Sequence, residues 1–319
     1  MQKKPLMLLL YGNTKPYQES LAAAGLGERY DIVAVPPDKT PDVNHLENAE
    51  VLMAINVAPG MIGEMPKLKW VQSVTVGVDH WLERKDLMSR HLLTAARGTH
   101  RVQMPENILG AIFHITKGYM TAALNQRESK WVRRVSEPIA GKTLGILGLG
   151  AIGQELARKA AALELKVIGT KRTVEPVAHV DKVYAPEQID EVLGQSDYVV
   201  LLLPVTDATN NLMNTTRLSR MKPGAWLLNF GRGHLVVDED LIAAVKAKTI
   251  AGAILDVFRT EPLPPDHPFW KVEGILVLPH IGGGHPTRDR MVAELFTENA
   301  KRFLAGEPLK ELVDRARGY

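Results

Sequence analysis

Thr143-Leu144-Gly145-Ile146-Leu147-Gly148-Leu149-Gly150-Ala151-Ile152-Gly153-Gln154 is an apolar run that passes through three spaced glycines into an amphipathic stretch. Thr143–Leu147 reads as a buried strand and Gln154–Leu163 as a helix. The six residues between them form a G-x-G-x-x-G pattern, which carries weight only because a strand precedes it and a helix follows. Each glycine has its own physical task. Gly148 permits the tight turn, Gly150 lets backbone come close to a pyrophosphate, and Gly153 lets the helix lie against the sheet. The helix N-terminus offers unpaired N–H groups and the positive end of a dipole to phosphate, with Ala151 and Ile152 of the loop expected to line the same cofactor site. The competing reading is a glycine-rich turn with no ligand.

Outward from this loop the same rhythm continues. Apolar runs at Lys166–Thr170, Tyr198–Leu203, Ala225–Phe230, Ile250–Leu255 and Ile275–Leu278 alternate with helix-like segments at Pro186–Leu193 and Asp238–Ala247. Near-continuous apolar strands separated by helices predict a parallel sheet covered on both faces, a doubly wound α/β domain. The first hundred residues repeat the rhythm more weakly. Leu6–Tyr11, Asp31–Val35, Val51–Ala54, Trp70–Ser73 and His91–Thr94 read as strands, Pro16–Ala24 and Asn44–Glu50 as helices, and no glycine fingerprint is present. Asn107–Met120 reads as a further helix, with Arg101–Met104 as a crossover before it.

A length of 319 residues predicts two domains, each large enough for its own core. With 39 Lys+Arg against 36 Asp+Glu, the net charge of +3 argues against a nucleic-acid or membrane surface. No cysteine is present, which excludes disulfides, a thiolate nucleophile and Cys-ligated metal, and fits a reducing compartment. The start Met1-Gln2-Lys3-Lys4 followed by Pro5–Leu10 superficially resembles a signal peptide, but its apolar run is short and breaks at Tyr11-Gly12-Asn13. A buried first strand, a soluble protein and a cytoplasmic location are expected. The ten histidines show no metal-ligand spacing, so no metal is expected.

The end of the second strand of the glycine-loop domain decides which dinucleotide binds. An acid there would accept hydrogen bonds from the ribose hydroxyls of NAD. The stretch is Gly169-Thr170-Lys171-Arg172-Thr173 instead. Lys171 and Arg172 would attract the 2′-phosphate that a carboxylate repels, so NADP(H) is expected over NAD(H). If both cations are merely solvated, NAD(H) remains in use. The missing acid and the complete glycine pattern also argue against a nucleoside-binding methyltransferase.

Three further segments stand at the ends of later strands, where open α/β sheets bind ligands. They are Asn229-Phe230-Gly231-Arg232-Gly233, Leu255 to Leu263, and Leu278-Pro279-His280-Ile281-Gly282-Gly283. With Lys69-Trp70-Val71-Gln72, Val76-Gly77-Val78-Asp79, Leu203-Pro204-Val205-Thr206 and Asp238-Glu239-Asp240-Leu241, they make a pattern over most of the chain. That pattern resembles the D-isomer-specific 2-hydroxyacid dehydrogenases, in particular glyoxylate and hydroxypyruvate reductases. The resemblance implies two doubly wound domains, with a Rossmann-type cofactor domain at 104–285 inserted into a discontinuous flavodoxin-like substrate domain at 1–103 and 286–319. It also implies an active site in the cleft between them, and a homodimer.

The resemblance further implies a role for each matching residue. Arg232 would hold the carboxylate and ketone oxygen of a 2-oxo acid, which suits a planar guanidinium. His280 would be the proton donor, with Glu261 paired to it, since a neighbouring carboxylate orients an imidazole and favours its protonated form. Asp256 would face the nicotinamide carboxamide, Leu203, Pro204 and Thr209 would line the cofactor site, and the Val76 and Gly77 backbone would hold the substrate carboxylate. Taken singly, Arg232 reads equally as a surface residue, Glu261 as loop chemistry and His280 as a satisfied buried histidine. Their joint placement at strand ends is what favours function. His80 and His285 receive no role.

Departures from the family pattern matter as well. Val76 stands where relatives often carry a smaller residue and would reshape the carboxylate pocket, and Glu261 argues against formate dehydrogenases, which have glutamine there. No regulatory extension is expected. Trp131, within Asn125–Arg134, is expected on a dimer arm or packed at an interface. The rival to an enzyme is a dinucleotide-sensing, corepressor-like scaffold without physiological turnover. It would retain the same residues, but the interaction tail that such a role would use is not expected. Glyoxylate, hydroxypyruvate, pyruvate and bulkier 2-oxo acids all remain open as substrates.

Overall fold

In the computed structural model, which describes residues 4–318, the chain forms two units. One comprises the residues up to His100 together with those from His285 onward, and the other is Arg101–Gly284. Both boundaries fall slightly earlier than 103 and 285, and the charged start Met1–Lys3 lies outside the described residues.

The N-terminal unit is built on β1 (Leu6–Leu10), β2 (Asp31–Val35), β3 (Ala49–Ala54), β4 (Trp70–Ser73) and β5 (Leu92–Thr94), all parallel, in the order β2-β1-β3-β4-β5. This is the flavodoxin-like order. Alternate residues of β1 serve the two faces. Met7 and Leu9 join a core with Tyr17, Val292 and Phe296, while Leu8 and Leu10 join one with Leu52, Val71 and Trp81. The Arg288–Ala305 helix explains why the C-terminal segment belongs here. It lays Val292, Ala293, Phe296 and Ala300 on this sheet at helical spacing, and Tyr30 donates to the Ala300 carbonyl at 2.8 Å.

The central unit carries β6 (Thr143–Leu147), β7 (Lys166–Thr170), β8 (Lys182–Tyr184), β9 (Tyr198–Leu201), β10 (Trp226–Asn229), β11 (Gly252–Leu255) and β12 (Ile275–Val277). Their order is β12-β11-β10-β9-β6-β7-β8, again wholly parallel. The chain runs outward from β6 to β8 and then crosses back to β9. β6 therefore lies between β7 and β9 at the switch point, where the crevice for a ligand opens beyond the strand ends. Helix Ala151–Ala162 buries Gly153, Leu156, Ala157 and Ala160 against the sheet.

Several elements differ from the sequence reading. β8 is not legible in the sequence, because Lys182-Val183-Tyr184 sits between Asp181 and Pro186 without an apolar run to mark it. The helix expected at Asn107–Met120 runs Gln103–Lys117, taking in part of the expected crossover, and ends where Gly118 adopts φ +67°. A second helix, Tyr119–Arg127, follows and buries none of its residues. Among the described residues, no helix is long and apolar enough to cross a membrane.

Candidate active site

The glycine loop gives each glycine a distinct environment. Gly148 follows β6 with φ +113°, a conformation that side chains other than glycine rarely adopt, and a Cβ there would sit 2.8 Å from the Leu202 carbonyl oxygen. A Cβ on Gly153 would lie 2.2 Å from the Gly148 carbonyl oxygen, so helix and turn touch through backbone alone. Gly150 differs, since a Cβ there would meet nothing within 4 Å. Its smallness serves no contact inside the chain and leaves open a cradle at the start of the helix bearing Ala151 and Ile152. The fit to a dinucleotide pyrophosphate rests on that open face beside unpaired helix N–H groups.

Around this cradle, Leu149 N–H donates to the Thr170 carbonyl at 2.9 Å, tying the loop to the end of β7. Lys171, the next residue, forms an ion pair with Glu175, while Arg172 is exposed. Glu175 was not foreseen as a partner, although it stands four residues beyond Lys171. After β9, Leu203 comes close to Gly148. The Thr209 hydroxyl donates to the Pro204 carbonyl at 2.7 Å and accepts from Thr206 N–H at 2.8 Å, so it shapes this loop from within.

The loops after β10, β11 and β12 interlock. Asn229, which is buried, donates through Nδ2 to the Arg232 carbonyl at 2.8 Å and accepts from Gly231 N–H at 3.1 Å. This fixes the turn presenting Arg232, whose Nη1 donates to the Gly231 carbonyl at 2.8 Å. A Cβ on Gly233 would fall 1.9 Å from the Phe258 carbonyl carbon, which brings this turn directly onto the loop after β11. Asn229 was read as part of a motif but given no role of its own.

His280 stands in a left-handed conformation, φ +52°, that is uncommon and costly for a non-glycine residue. Asp256, only 1% exposed, holds the following backbone, accepting from Ile281 N–H at 2.8 Å and Gly282 N–H at 2.9 Å. Burial pushes the Asp256 carboxyl above its ordinary pKa, and these two N–H groups with His280 oppose the rise. Asp256 was expected to face a nicotinamide carboxamide. Its oxygens also meet, on the histidine loop, the donors that a buried carboxylate requires. Glu261 completes the arrangement, with Oε1 accepting from Phe258 N–H at 2.8 Å and Oε2 lying 2.6 Å from His280 Nδ1. His280 remains 54% exposed at its side chain, so the ring is oriented without being sealed.

Val76 and Gly77 belong to the other unit, in the turn after β4, where the Thr75 hydroxyl donates to the Gly77 carbonyl at 2.7 Å. His80 and His285 serve backbone there, with Nε2 of each against the Ile55 and Thr99 carbonyls at 2.7 and 2.9 Å. Among the described residues, no group of three or more His, Cys, Asp or Glu could hold a metal ion.

Residues 109–282 match the sequence model of the D-isomer specific 2-hydroxyacid dehydrogenase NAD binding domain. The chain belongs to the D-isomer-specific 2-hydroxyacid dehydrogenase family. Similar relatives include the glyoxylate reductase of Thermofilum pendens, 29% identical over 88% of this chain and 86% of the relative. A Xanthobacter autotrophicus D-isomer specific 2-hydroxyacid dehydrogenase, solved with NADPH and MES, has a TM-score of 0.86 at 30% identity over 98% of this chain and 99% of that one. The NADPH-dependent glyoxylate/hydroxypyruvate reductase of Sinorhizobium meliloti, solved with NADP and sulfate, has a TM-score of 0.86 at 27% identity over 99% of this chain and 100% of that one. As a 2-hydroxyacid dehydrogenase, the protein is an oxidoreductase dependent on a nicotinamide dinucleotide, and the cradle of Gly148, Gly150 and Gly153 fits that cofactor.

Proposed function

We propose that the protein reduces a small 2-oxo acid of the glyoxylate or hydroxypyruvate class to the corresponding D-2-hydroxy acid, with NADPH preferred over NADH. The observation that carries this reading is the 2.6 Å contact of Glu261 with His280 Nδ1, on a strained loop held by a buried carboxylate. The cradle of Gly148, Gly150 and Gly153 would hold the nicotinamide dinucleotide, which would supply the hydride for C2 of the 2-oxo acid. Because Nδ1 faces Glu261, Nε2 is the nitrogen that holds the proton delivered to the ketone oxygen. Arg232 and the Val76 and Gly77 N–H groups receive the substrate carboxylate. Asp256 acts through the loop it holds, and any bond to the nicotinamide carboxamide would share its oxygens with Ile281 and Gly282.

The NADPH preference is supported by the absence of an acid at Lys171–Thr173, and by the nucleotides named with the Xanthobacter and Sinorhizobium proteins. The ion pair to Glu175 offsets part of the Lys171 charge. A homodimer is supported by the exposed apolar side chains of Tyr119, Met120, Leu124, Trp131, Val132 and Val135, with Trp131 97% exposed.

The test follows nicotinamide absorbance with NADPH and then NADH against glyoxylate, hydroxypyruvate, pyruvate and a bulkier 2-oxo acid. Turnover favouring NADPH is expected, with the NADPH KM raised in Arg172→Ala. Nucleotide binding without turnover of any of the four would favour the dinucleotide-sensing scaffold, and a preference for NADH would remove the Lys171 and Arg172 argument.

A further inference from the structure

The turn after β4 is fixed by groups that lie far away in sequence. Val74 N–H still pairs with the Ala54 carbonyl at 3.0 Å as the chain leaves the sheet. Thr75 N–H donates to Ser73 Oγ at 3.2 Å, and the Thr75 carbonyl accepts from Ala96 N–H at 3.0 Å. Because a trans peptide is planar with its C=O and N–H opposed, holding the Thr75 carbonyl fixes the direction of the Val76 N–H. Among the described residues, neither the Val76 nor the Gly77 N–H donates a hydrogen bond.

The preceding peptide plane is held by Arg288, the first residue of the Arg288–Ala305 helix. Its Nη2 donates to the Val74 carbonyl, and its Nη1 donates to Tyr11 Oη at 3.1 Å and to Asp289 Oδ1 at 2.9 Å. Tyr11 in turn donates to Asp289 Oδ1 at 3.1 Å, and Asn13 Nδ2 donates to Asp289 Oδ2 at 2.7 Å. A largely buried planar fork is thus locked on one side by the end of β1 and grips the β4 turn with the other.

We propose that Arg288 is a positioning residue for the substrate carboxylate. By clamping the Val74 carbonyl it sets the turn that aims the Val76 and Gly77 N–H groups, without touching substrate itself. The proposal rests on the reading that these two N–H groups receive the carboxylate of a 2-oxo acid. Lysine cannot replace arginine here, because one ammonium cannot hold Tyr11, Asp289 and the Val74 carbonyl in a single plane.

The test compares the full-length protein with Arg288→Lys and Tyr11→Phe, the latter keeping the ring and the guanidinium but removing the hydroxyl between them. In Arg288→Lys the KM for glyoxylate rises about tenfold, the scale of one charge-assisted hydrogen bond, while kcat and the Kd for NADPH stay within about threefold. Tyr11→Phe shows the same split at roughly two- to threefold. Hydrogen exchange of the Val74 and Thr75 amides, measured without substrate, quickens in both variants. Unchanged KM with unchanged exchange overturns the proposal, as does a loss confined to kcat. If the unmodified protein turns over no 2-oxo acid, the functional reading fails. The exchange rates then still decide whether Arg288 fixes the turn, and unaltered rates overturn that too.

Discussion

Glu261→Gln exchanges a carboxylate for an amide of nearly the same shape, and the surrounding contacts set the cost. In the native pair Oε1 accepts from Phe258 N–H at 2.8 Å and Oε2 lies 2.6 Å from His280 Nδ1. The Phe258 N–H can only donate, so glutamine keeps its carbonyl oxygen there and turns its NH2 toward the ring. An amide donor facing Nδ1 requires a lone pair on that nitrogen, which disfavours the doubly protonated imidazolium from which a proton is delivered. The interaction lost is a charge-assisted hydrogen bond, worth about 1.5–3 kcal/mol. Both partners are partly solvated, with side chains 54% and 35% exposed, and screening moves the expectation toward the low end. About 1.5–2 kcal/mol corresponds to a fall in kcat of roughly 10–30-fold. The assay is steady-state reduction of glyoxylate at saturating NADPH, with nucleotide affinity from fluorescence titration and stability from thermal unfolding. NADPH affinity and Tm are expected to hold, since the Phe258 bond survives. A kcat within twofold of the unmodified enzyme, with normal nucleotide binding, would refute the role assigned to the pair.

Four other substitutions separate the parts of the architecture. Gly150→Ala is expected to fold normally and weaken NADPH binding, because its Cβ meets nothing within 4 Å, whereas Gly153→Ala drives a Cβ to 2.2 Å from backbone and lowers Tm by about 5 °C or more; equal Tm values for the two would contradict this. Trp131→Glu is expected to shift a dimer toward monomer in analytical ultracentrifugation, and an unaltered mass distribution would move the interface elsewhere. For Asp86, burial pushes the carboxyl up, but hydrogen bonds and charge from Arg84 and the Ile62 N–H outweigh it and hold the group below its ordinary pKa. An acid lowered in the folded state stabilises above its unfolded value of about 4 and loses that contribution as pH falls through the folded value. Asp86→Asn should therefore lower Tm at neutral pH, with the gap to the unmodified protein closing in acid; a gap that persists to the lowest pH at which the protein folds would argue against it.

The parts of the site legible in the sequence are those that depend on near neighbours. The turn at Gly148 and the close approach at Gly153 follow from a strand, three glycines and a helix within about twenty residues, and the backbone meets itself there as that spacing requires. Lys171 and Arg172 were equally visible, but the carboxylate of Glu175 was not, because four residues along an irregular loop say nothing about which side chains face each other. The break at Gly118 was missed because apolar periodicity continues past it, and only its φ of +67° ends the helix. Asp256 is legible as an acid at a strand end, but its 1% exposure and its two backbone donors are not. Burial of that kind is a property of the packed loops and not of the residue.

Alternation of apolar strands with amphipathic helices was enough to determine two parallel α/β sheets and the glycine cradle, since both arise from contacts within one strand–turn–helix unit. The strand orders β2-β1-β3-β4-β5 and β12-β11-β10-β9-β6-β7-β8 were decided only when the chain folded. The same holds for the placement of His280 by Asp256 and Glu261, and for the grip of Arg288 on Val74. These contacts join residues between 19 and 214 positions apart, across loops whose closure no local spacing encodes. Their geometry is set by which buried donors and acceptors the core leaves to be paired.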